Sequence, residues 1–261
     1  MGNWIDEFYN NGNGIIRLNE FQKKLLERNA PRVLYQYRPI ESYNVDNIKN
    51  RVIWARKATD FNDPYDCLIT TSSMERQIKR IKRIGTNLLL KELEDMQKAF
   101  IDEAQKIRAS QAVSCFSCIC DSLLMWSHYA DQHKGMCVVY DYKKLERFSR
   151  NLILPVSYGE KIDVFQKDIK GNYVPTDYAF IRKAKEWEYE QEWRIKTLLL
   201  NTSEKGITVE TPLPEKIIFG SKTDFENPLV KDLINFSEKN AITYSKMELD
   251  TDRFKLNEVL L

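Results

Sequence analysis

The sequence predicts an α+β fold with a mixed, mostly antiparallel central sheet, helices packed around it and a helical insertion at about residues 74–108. Three observations support this prediction. Hydrophobic residues make up 43% of the 261 residues and aromatic residues 11%, enough for a large core. Short runs rich in branched and aromatic residues recur along the chain, bounded by Pro, Gly or Asn-Asp signals. One long stretch between them repeats apolar residues at helical spacing.

The domain organisation follows from these patterns in chain order. Residues 1–30 predict a helical N-terminal extension, with helices over 3–10 and 16–28 separated by an Asn/Gly-rich break, and residues 31–261 predict a single α+β domain. Predicted strands cover 32–39, 51–58, 111–117, 135–142, 152–160, 215–220 and 241–249, with an edge strand in the tail 254–261. Predicted helices cover 41–50, 121–132 and 227–240, and Gly85 with Asn87 would split the insertion into a hairpin. Residues 161–177 read as a loop, and 178–200 begins as a helix and becomes a strand near Glu190.

The bulk composition narrows the class of protein. The formal net charge of +2 does not indicate a nucleic-acid binder. The N-terminus is acidic and lacks an apolar signal-peptide core, and no apolar run approaches the ~18 residues of a membrane span. Five cysteines are an odd number, so we expect free thiols and a cytoplasmic location.

The rare residues gather between Val113 and Asp141. This stretch holds four of the five cysteines and both histidines. The order Cys115, Cys118, His128 and His133 resembles the ligand order of a zinc site. However, strand alternation would put the two cysteines on opposite faces, so we favour free thiols and expect no metal.

Two polar segments allow both a structural and a functional interpretation. Asn62, Asp63 and Asp66 surround Pro64, which is ordinary turn chemistry but would also suit the mouth of a site. The basic run near residue 80 reads as a solvated helix face or as a contact to RNA or phosphate.

The segment EWEYEQEW contains the carboxylates that are the strongest candidates for a catalytic or binding role. Glu190 and Glu192 would lie on the same side of an extended segment. Two such carboxylates can bind a metal, act as acid and base, or stabilise a cationic transition state. Alternatively, Glu192 is paired with Arg194 or Arg38 on a half-exposed strand.

The motifs LYQYRP, FNDPYDC, SCFS, MWSHYADQHKGMC and WEYEQEWR together resemble a widespread bacterial family that is known by a domain of unknown function. The resemblance covers about residues 33–220, and MWSHYADQHKG is its most specific part. Cys118 departs from the family, which more often has a polar residue there, and this weakens the zinc interpretation further.

The layout also resembles, more distantly, ADP-ribosyltransferase folds. That resemblance implies an NAD-using transferase of toxin or phage-defence type, with a protein or nucleic acid as acceptor and no membrane partner. It implies Glu192 and Glu190 as catalytic residues, with Glu192 stabilising the positive charge that develops as nicotinamide leaves. The cofactor-binding residues that it implies are Arg38, Asn62, Asp63, Ser117 (or Ser114), His128 and Tyr129.

Two other functions stay open at this point. A metal-dependent hydrolase or nuclease would use Asp63, Asp66, His128 and Glu192. A non-catalytic binding module would use MWSHYADQHKG as a structural core, with Trp126 and Tyr129 buried. The functions differ in whether Arg38, Asp63, His128 and Glu192 converge on one pocket.

Overall fold

The computed structural model describes residues 2–10, 18–69, 72–84, 87–160, 162 and 176–261. The helices are α1 Gly2–Asn10, α2 Glu20–Asn29, α3 Ser42–Lys49, α4 Ser72–Ile84, α5 Asn87–Ala109, α6 Leu123–Tyr129, α7 Tyr142–Ser149 and α8 Pro228–Lys239. The strands are β1 Val33–Arg38, β2 Val52–Lys57, β3 Gln111–Ser117, β4 Met136–Asp141, β5 Ile153–Pro155, β6 Ser157–Gly159, β7 Arg182–Ala184, β8 Glu192–Leu198, β9 Gly206–Glu210, β10 Lys216–Phe219, β11 Thr243–Leu249 and β12 Leu256–Leu260. Within the described residues, 3₁₀ segments cover Ala58–Asp60, Thr176–Phe180 and Lys185–Glu190.

The predicted α+β class, with helices around a mixed and mostly antiparallel sheet, is confirmed. In the described part of the chain the main sheet has ten strands, of which eight follow the order β12-β11-β10-β4-β1-β3-β2-β9. Within this sheet the described pairings are antiparallel except for the parallel pair β10 and β11. β6 and β7 form a separate parallel pair.

The sheet forks at β3, and this fork positions the candidate site. One edge of β3 pairs with β8 along its whole length, from Gln111 opposite Leu198 to Ser117 opposite Glu192. The other edge pairs with β2 near its start and with β1 at its last residue, where Tyr35 faces Ser117. Directly opposed residues point to the same face of a sheet. Tyr35, Ser117 and Glu192 therefore form one row across three neighbouring strands.

The two faces of the sheet carry different cores. The larger core contains Leu34, Met136 and Val138 and is covered by residues of α1, α2, α3, α7 and α8. The smaller core packs Met125 and Trp126 of α6 against Tyr37 and other strand residues. We call these the large-core face and the α6 face. The row of Tyr35, Ser117 and Glu192 belongs to the α6 face, because Tyr35 packs against the smaller core.

The N-terminal helices pack onto the sheet. The Tyr9 hydroxyl donates a hydrogen bond to the Pro155 carbonyl, and the Trp4 ring lies 6.2 Å from the Trp193 ring. α2 begins at Glu20 because Asn19 and Gln22 form a capping box there, four residues later than the predicted start. The division at residue 30 stays a prediction.

The predicted insertion is helical, with α4 and α5 on either side of residues 85 and 86 and an ion pair between Lys82 and Glu94 at 2.8 Å. Lys79, Arg80 and Arg83 of the basic run are exposed. Charged residues recur along both helices, and none of the helices in the described part of the chain is long and apolar enough to cross a membrane.

The helix α6 ends earlier than predicted. Ser122 caps its start by accepting a hydrogen bond from the Met125 amide at 3.3 Å. The helix stops at Tyr129, and Asp131, Gln132 and His133 follow with φ values of 44°, 53° and 72°. Three consecutive non-glycine residues in the left-handed region are costly, so the surroundings must hold them in place.

That left-handed turn is held by backbone hydrogen bonds on both sides. The His133 amide donates to the Trp126 carbonyl at 3.1 Å, and the His133 carbonyl accepts from the Lys222 amide at 2.9 Å. Gly135 closes the turn against β1, where a Cβ atom would lie 2.4 Å from the Arg38 carbonyl oxygen. The HKG part of the motif therefore fixes how α6 is attached to the sheet.

Several other predicted boundaries were wrong. The expected strand over 152–160 is two short strands, β5 and β6, which belong to different sheets. The expected helix after Tyr178 is a pair of 3₁₀ segments separated by β7. The helix α7 and the strand β9 were not predicted, and the expected loop over 161–177 lies largely outside the described residues.

Candidate functional site

Glu192 opens β8 and is buried on the α6 face, with 4% of its surface exposed. Arg194 lies two residues further along the same strand, so both side chains point to the same face. Arg194 Nε donates to Glu192 Oε1 at 2.7 Å and Nη2 donates to Oε2 at 2.9 Å. The expected pairing with Arg194 is therefore present, but the strand is buried at this point and not half-exposed.

Asp66 binds the other side of the same guanidinium. Arg194 Nη1 and Nη2 donate to the two Asp66 carboxylate oxygens at 2.7 and 2.8 Å, and Nη1 also donates to the Phe180 carbonyl at 2.9 Å. With the two bonds to Glu192, all five N–H donors of Arg194 are used. Bidentate pairing on both sides fixes the guanidinium plane between the two carboxylates.

Lys183 of β7 extends this pairing to a third carboxylate. Its ammonium donates to Glu190 Oε2 and, at 3.2 Å, to Glu192 Oε2, and it lies 3.8 Å from Asp66 Oδ2. The Trp187 ring covers it, with its centroid 4.9 Å from Nζ. We call Asp66, Lys183, Glu190, Glu192 and Arg194 the buried charge network.

The backbone conformation that places Glu190 in the network differs from the extended segment that the sequence predicts. Glu190 ends a 3₁₀ segment, and Gln191 then adopts a left-handed conformation with φ of 44° before β8 begins. Glu190 and Glu192 are thus not neighbours on one extended segment, and Lys183 brings their side chains together. The Ser117 hydroxyl fixes this turn by donating to the Glu190 carbonyl at 2.6 Å.

The network contains three carboxylates and two cations, so it carries one net negative charge when all five groups are ionised. Burial alone would raise the pKa of Glu192, but the charges of Arg194 and Lys183 outweigh it and hold that pKa at about 2. Burial raises the pKa of Glu190, Lys183 counteracts it and Glu192 reinforces it. Of these two carboxylates, Glu190 is therefore the one that takes up a proton more readily.

Aromatic side chains separate Glu190 from solvent. The Tyr129 hydroxyl donates to Glu190 Oε1 at 2.6 Å, and burial together with Glu190 raises the pKa of Tyr129. The Tyr189 hydroxyl lies 3.1 Å from Nδ1 of His128, which is exposed, and the rings of Trp187 and Tyr189 are 6.1 Å apart. We call His128, Tyr129, Trp187 and Tyr189 the aromatic rim.

Arg38 does not join this site. It pairs with Met136, whose side chain belongs to the large core, and it lies three positions from Tyr35 on β1. Because side chains alternate along a strand, Arg38 points to the face opposite Tyr35, Ser117 and Glu192. The structure therefore does not bring Arg38 together with Glu192, so the four residues whose convergence would separate the candidate functions do not share one pocket.

Some residues of the FNDPYDC loop fit the structural interpretation as a turn, and another belongs to the candidate site. Asn62 is exposed, and Asp63 Oδ1 accepts a hydrogen bond from the Tyr65 amide at 2.9 Å, which is a turn-stabilising role. Asp66 of the same loop is buried and binds Arg194. Ser114, the alternative to Ser117, points to the large-core face and accepts from Gln36 Nε2 at 3.1 Å.

The cysteines and histidines that follow the order of zinc ligands make contacts with different partners. The Cys118 thiol donates to Gln191 Oε1 at 3.2 Å, and His133 Nε2 lies 3.0 Å from the Ser127 hydroxyl. Cys115, Cys118 and Cys120 are partly exposed rather than fully buried. In the described ranges, no group of three or more His, Cys, Asp or Glu side chains is placed to hold a metal ion.

Sequence reasoning missed much of the site. Lys183, Trp187 and Tyr189 were not singled out, although they flank the Glu190 turn, and Tyr158, whose hydroxyl accepts from the Glu192 amide at 2.8 Å, was also missed. Arg194 was considered only as one of two alternative partners of Glu192 on a half-exposed strand. The i, i+2 spacing of Glu192 and Arg194 was the available signal, since it places opposite charges on one face of a strand.

The comparisons with known proteins add a family of unknown function. Residues 125–195 match the family model described as "Protein of unknown function (DUF2971)". The matched stretch runs from α6 to β8 and includes the aromatic rim and all of the buried charge network except Asp66. No curated protein and no solved structure matches the chain. Over residues 125–195 the chain is thus similar to a family to which no activity is assigned.

Proposed function

We propose that the protein is an NAD-using transferase of the ADP-ribosyltransferase type, in which Glu190 is the carboxylate that faces the ligand. The observation that supports this is the net negative charge of the buried charge network, whose Glu190 carboxylate lies beneath the aromatic rim. Such a site suits a ligand with a flat ring and a group that becomes positively charged.

The strand order is compatible with this proposal. β1, β3 and β8 are neighbours, Ser117 ends β3, and Glu192 opens β8 directly opposite it. The ADP-ribosyltransferase resemblance implies a serine on one strand and a glutamate at the opening of another. The departure is on β1, where Tyr35 and not an arginine completes the row.

The roles of the chain's own residues follow from their contacts. Glu190 would stabilise positive charge on the ribose, and Tyr129 would orient the carboxylate through its hydroxyl. Glu192 is saturated by Arg194 and Lys183, so it would act on Glu190 indirectly by fixing Lys183. Trp187 and Tyr189 offer ring faces for the nicotinamide. When bound, NAD would supply the ADP-ribosyl group and nicotinamide as the leaving group.

The test is nicotinamide release and label transfer from radiolabelled NAD, with cellular protein and nucleic acid offered as acceptors in separate reactions. We expect activity in the wild type and a loss of about a hundredfold in Glu190→Gln, since one preorganised electrostatic group typically contributes that much. Glu188→Gln is the matched control, because Glu188 is exposed on the same 3₁₀ segment. Equal rates in Glu190→Gln and Glu188→Gln would contradict the proposed role.

A second candidate function, a non-catalytic binding module, is favoured by two specific observations. Arg38 lies on the opposite face, and both oxygens of Glu192 are bound by protein cations. In a binding module the buried charge network would hold the FNDPYDC loop, β7 and β8 together. The aromatic rim would bind a ligand without catalysing a reaction. Saturable NAD binding by the wild type without nicotinamide release would establish this function over the first.

A further inference from the structure

A cavity opens on the large-core face, at the end of β1 where Arg38 lies. It has an empty volume of about 250 Å³ including its open mouth. Its lining residues are apolar or carry uncharged polar groups, apart from Arg38: Gln36, Arg38, Asn44, Asn47, Ile48, Val52, Ile53, Trp54, Met136, Val138 and Tyr140. No acidic side chain is among them.

The Arg38 guanidinium differs from that of Arg194. All five donors of Arg194 are paired, whereas Arg38 forms no side-chain hydrogen bond or ion pair with any residue that the structure describes. Arg38 is only partly exposed. Burial lowers the pKa of the Arg38 guanidinium, and the groups that offset this are Cys115, Tyr140 and Tyr43, none of them a carboxylate. An arginine stays charged nonetheless, so an unpaired cation faces this cavity.

The side-chain amides of Asn44 and Gln36 already form hydrogen bonds within the protein. Arg38 is therefore the main group in the cavity that can recognise a ligand by charge. Asn44 Nδ2 donates to the Pro39 carbonyl at 3.0 Å, and Gln36 Nε2 donates to the Ser114 hydroxyl at 3.1 Å. These bonds hold the amides in place, so their carbonyl and amide groups form a preorganised polar wall beside the guanidinium.

We propose that this cavity is an oxyanion-binding site, in which Arg38 binds the phosphate or carboxylate head group of a small molecule. The planar guanidinium fork matches two oxygens of such a group, and pairing would offset the cost of a desolvated, unpaired cation. Because the 250 Å³ includes the open mouth, the enclosed space is small and suits a head group rather than a whole dinucleotide. The site lies on the opposite face from Glu190 and does not depend on the proposed transferase function.

The test is calorimetric titration of the full chain with inorganic phosphate and, separately, with acetate, in a buffer that contains neither. We expect saturable binding of at least one anion by the wild type, weakened about tenfold or more in Arg38→Gln, because a charge-assisted hydrogen bond contributes at least that factor. Arg56→Gln is the matched control, since Arg56 is exposed on β2. Arg38→Lys keeps the charge without the fork and should bind at an intermediate level.

Thermal melting provides a second readout that also checks folding. The bound anion should raise the melting temperature of the wild type and of Arg56→Gln but not that of Arg38→Gln. Phosphate bound more tightly than acetate would assign the site to phosphorylated ligands, and the reverse order would assign it to carboxylates. Equal anion affinity in Arg38→Gln and the wild type, or no saturable binding of either anion, would overturn the proposal.

Discussion

Arg194 and Asp66 are 128 residues apart in sequence and form a bidentate ion pair inside the fold, at 2.7 and 2.8 Å. The same guanidinium binds Glu192 on its other side. The Arg194 side chain therefore joins the FNDPYDC loop to β8, and it compensates the buried charges of Asp66 and Glu192. Buried ion pairs contribute little relative to an apolar replacement but are costly to break on one side.

Removing the central cation should destabilise the fold strongly. In Arg194→Met, Asp66 and Glu192 lose their shared partner while both stay buried, and we expect a loss of about 3–5 kcal/mol in the free energy of unfolding. Arg56→Met, at an exposed position on β2, should stay within about 0.5 kcal/mol of the wild type. Denaturant unfolding measures both. A loss below about 1 kcal/mol in Arg194→Met would show that the network is not coupled to stability.

The depressed pKa of Glu192 predicts how stability depends on pH. The pKa is about 2 in the fold against the ordinary value of 4.5, so Glu192 stabilises the folded state above pH 4.5 and loses that contribution as the pH falls toward 2. The difference in unfolding free energy between the wild type and Glu192→Gln should therefore be largest near neutral pH and shrink below pH 4.5. Urea titrations at several pH values measure it. A difference that is constant from neutral pH to pH 3 would contradict the assignment.

Gly135 should not tolerate a side chain. A Cβ atom there would lie 2.4 Å from the Arg38 carbonyl oxygen and 2.8 Å from the Ala130 backbone, and neither backbone group can move without shifting β1 or the left-handed turn. We expect Gly135→Ala to lower the free energy of unfolding by about 3 kcal/mol, at the upper end of overpacking costs. Gly159→Ala is the control, because its close neighbours are the end atoms of the Arg182 side chain. Equal melting temperatures of the two variants would refute this packing argument.

The cysteines should differ in reactivity. Cys67 and Cys137 are fully buried, and burial raises the pKa of both thiols, whereas Cys118 and Cys120 are partly exposed. Because the thiolate is the reactive form, timed alkylation of the native protein should label Cys118 and Cys120 well before Cys67 and Cys137. Mass spectrometry of the digested protein identifies the labelled positions. Early labelling of Cys137 would mean that the β4 region opens readily.

The sequence predicted the parts of this structure that depend on local patterns. The strands β1 and β3 and the start of β8 near Glu192 follow from runs of branched and aromatic residues with side-chain alternation. The insertion follows from helical periodicity in the same way.

The candidate site was less predictable because it depends on contacts between distant segments. Lys183 meets Glu192 through β7, a three-residue strand without a pattern of its own. The separation of Arg38 from Glu192 depends on strand register, since a shift by one residue would move Arg38 to the other face. The left-handed turn at Asp131–His133 has three consecutive non-glycine residues with positive φ, whereas such residues adopt this conformation singly, so local propensity does not predict the turn.

Calorimetric titration with NAD tests most directly the claim on which the proposed function depends, that NAD binds at the aromatic rim, because it asks which face of the sheet the ligand contacts. We predict saturable binding by the wild type, a loss of at least about tenfold in Tyr189→Ala at the aromatic rim, since stacked rings contribute on that scale, and unchanged affinity in Arg38→Gln on the opposite face. Absence of binding by the wild type, or a loss in Arg38→Gln with normal affinity in Tyr189→Ala, would contradict the proposal.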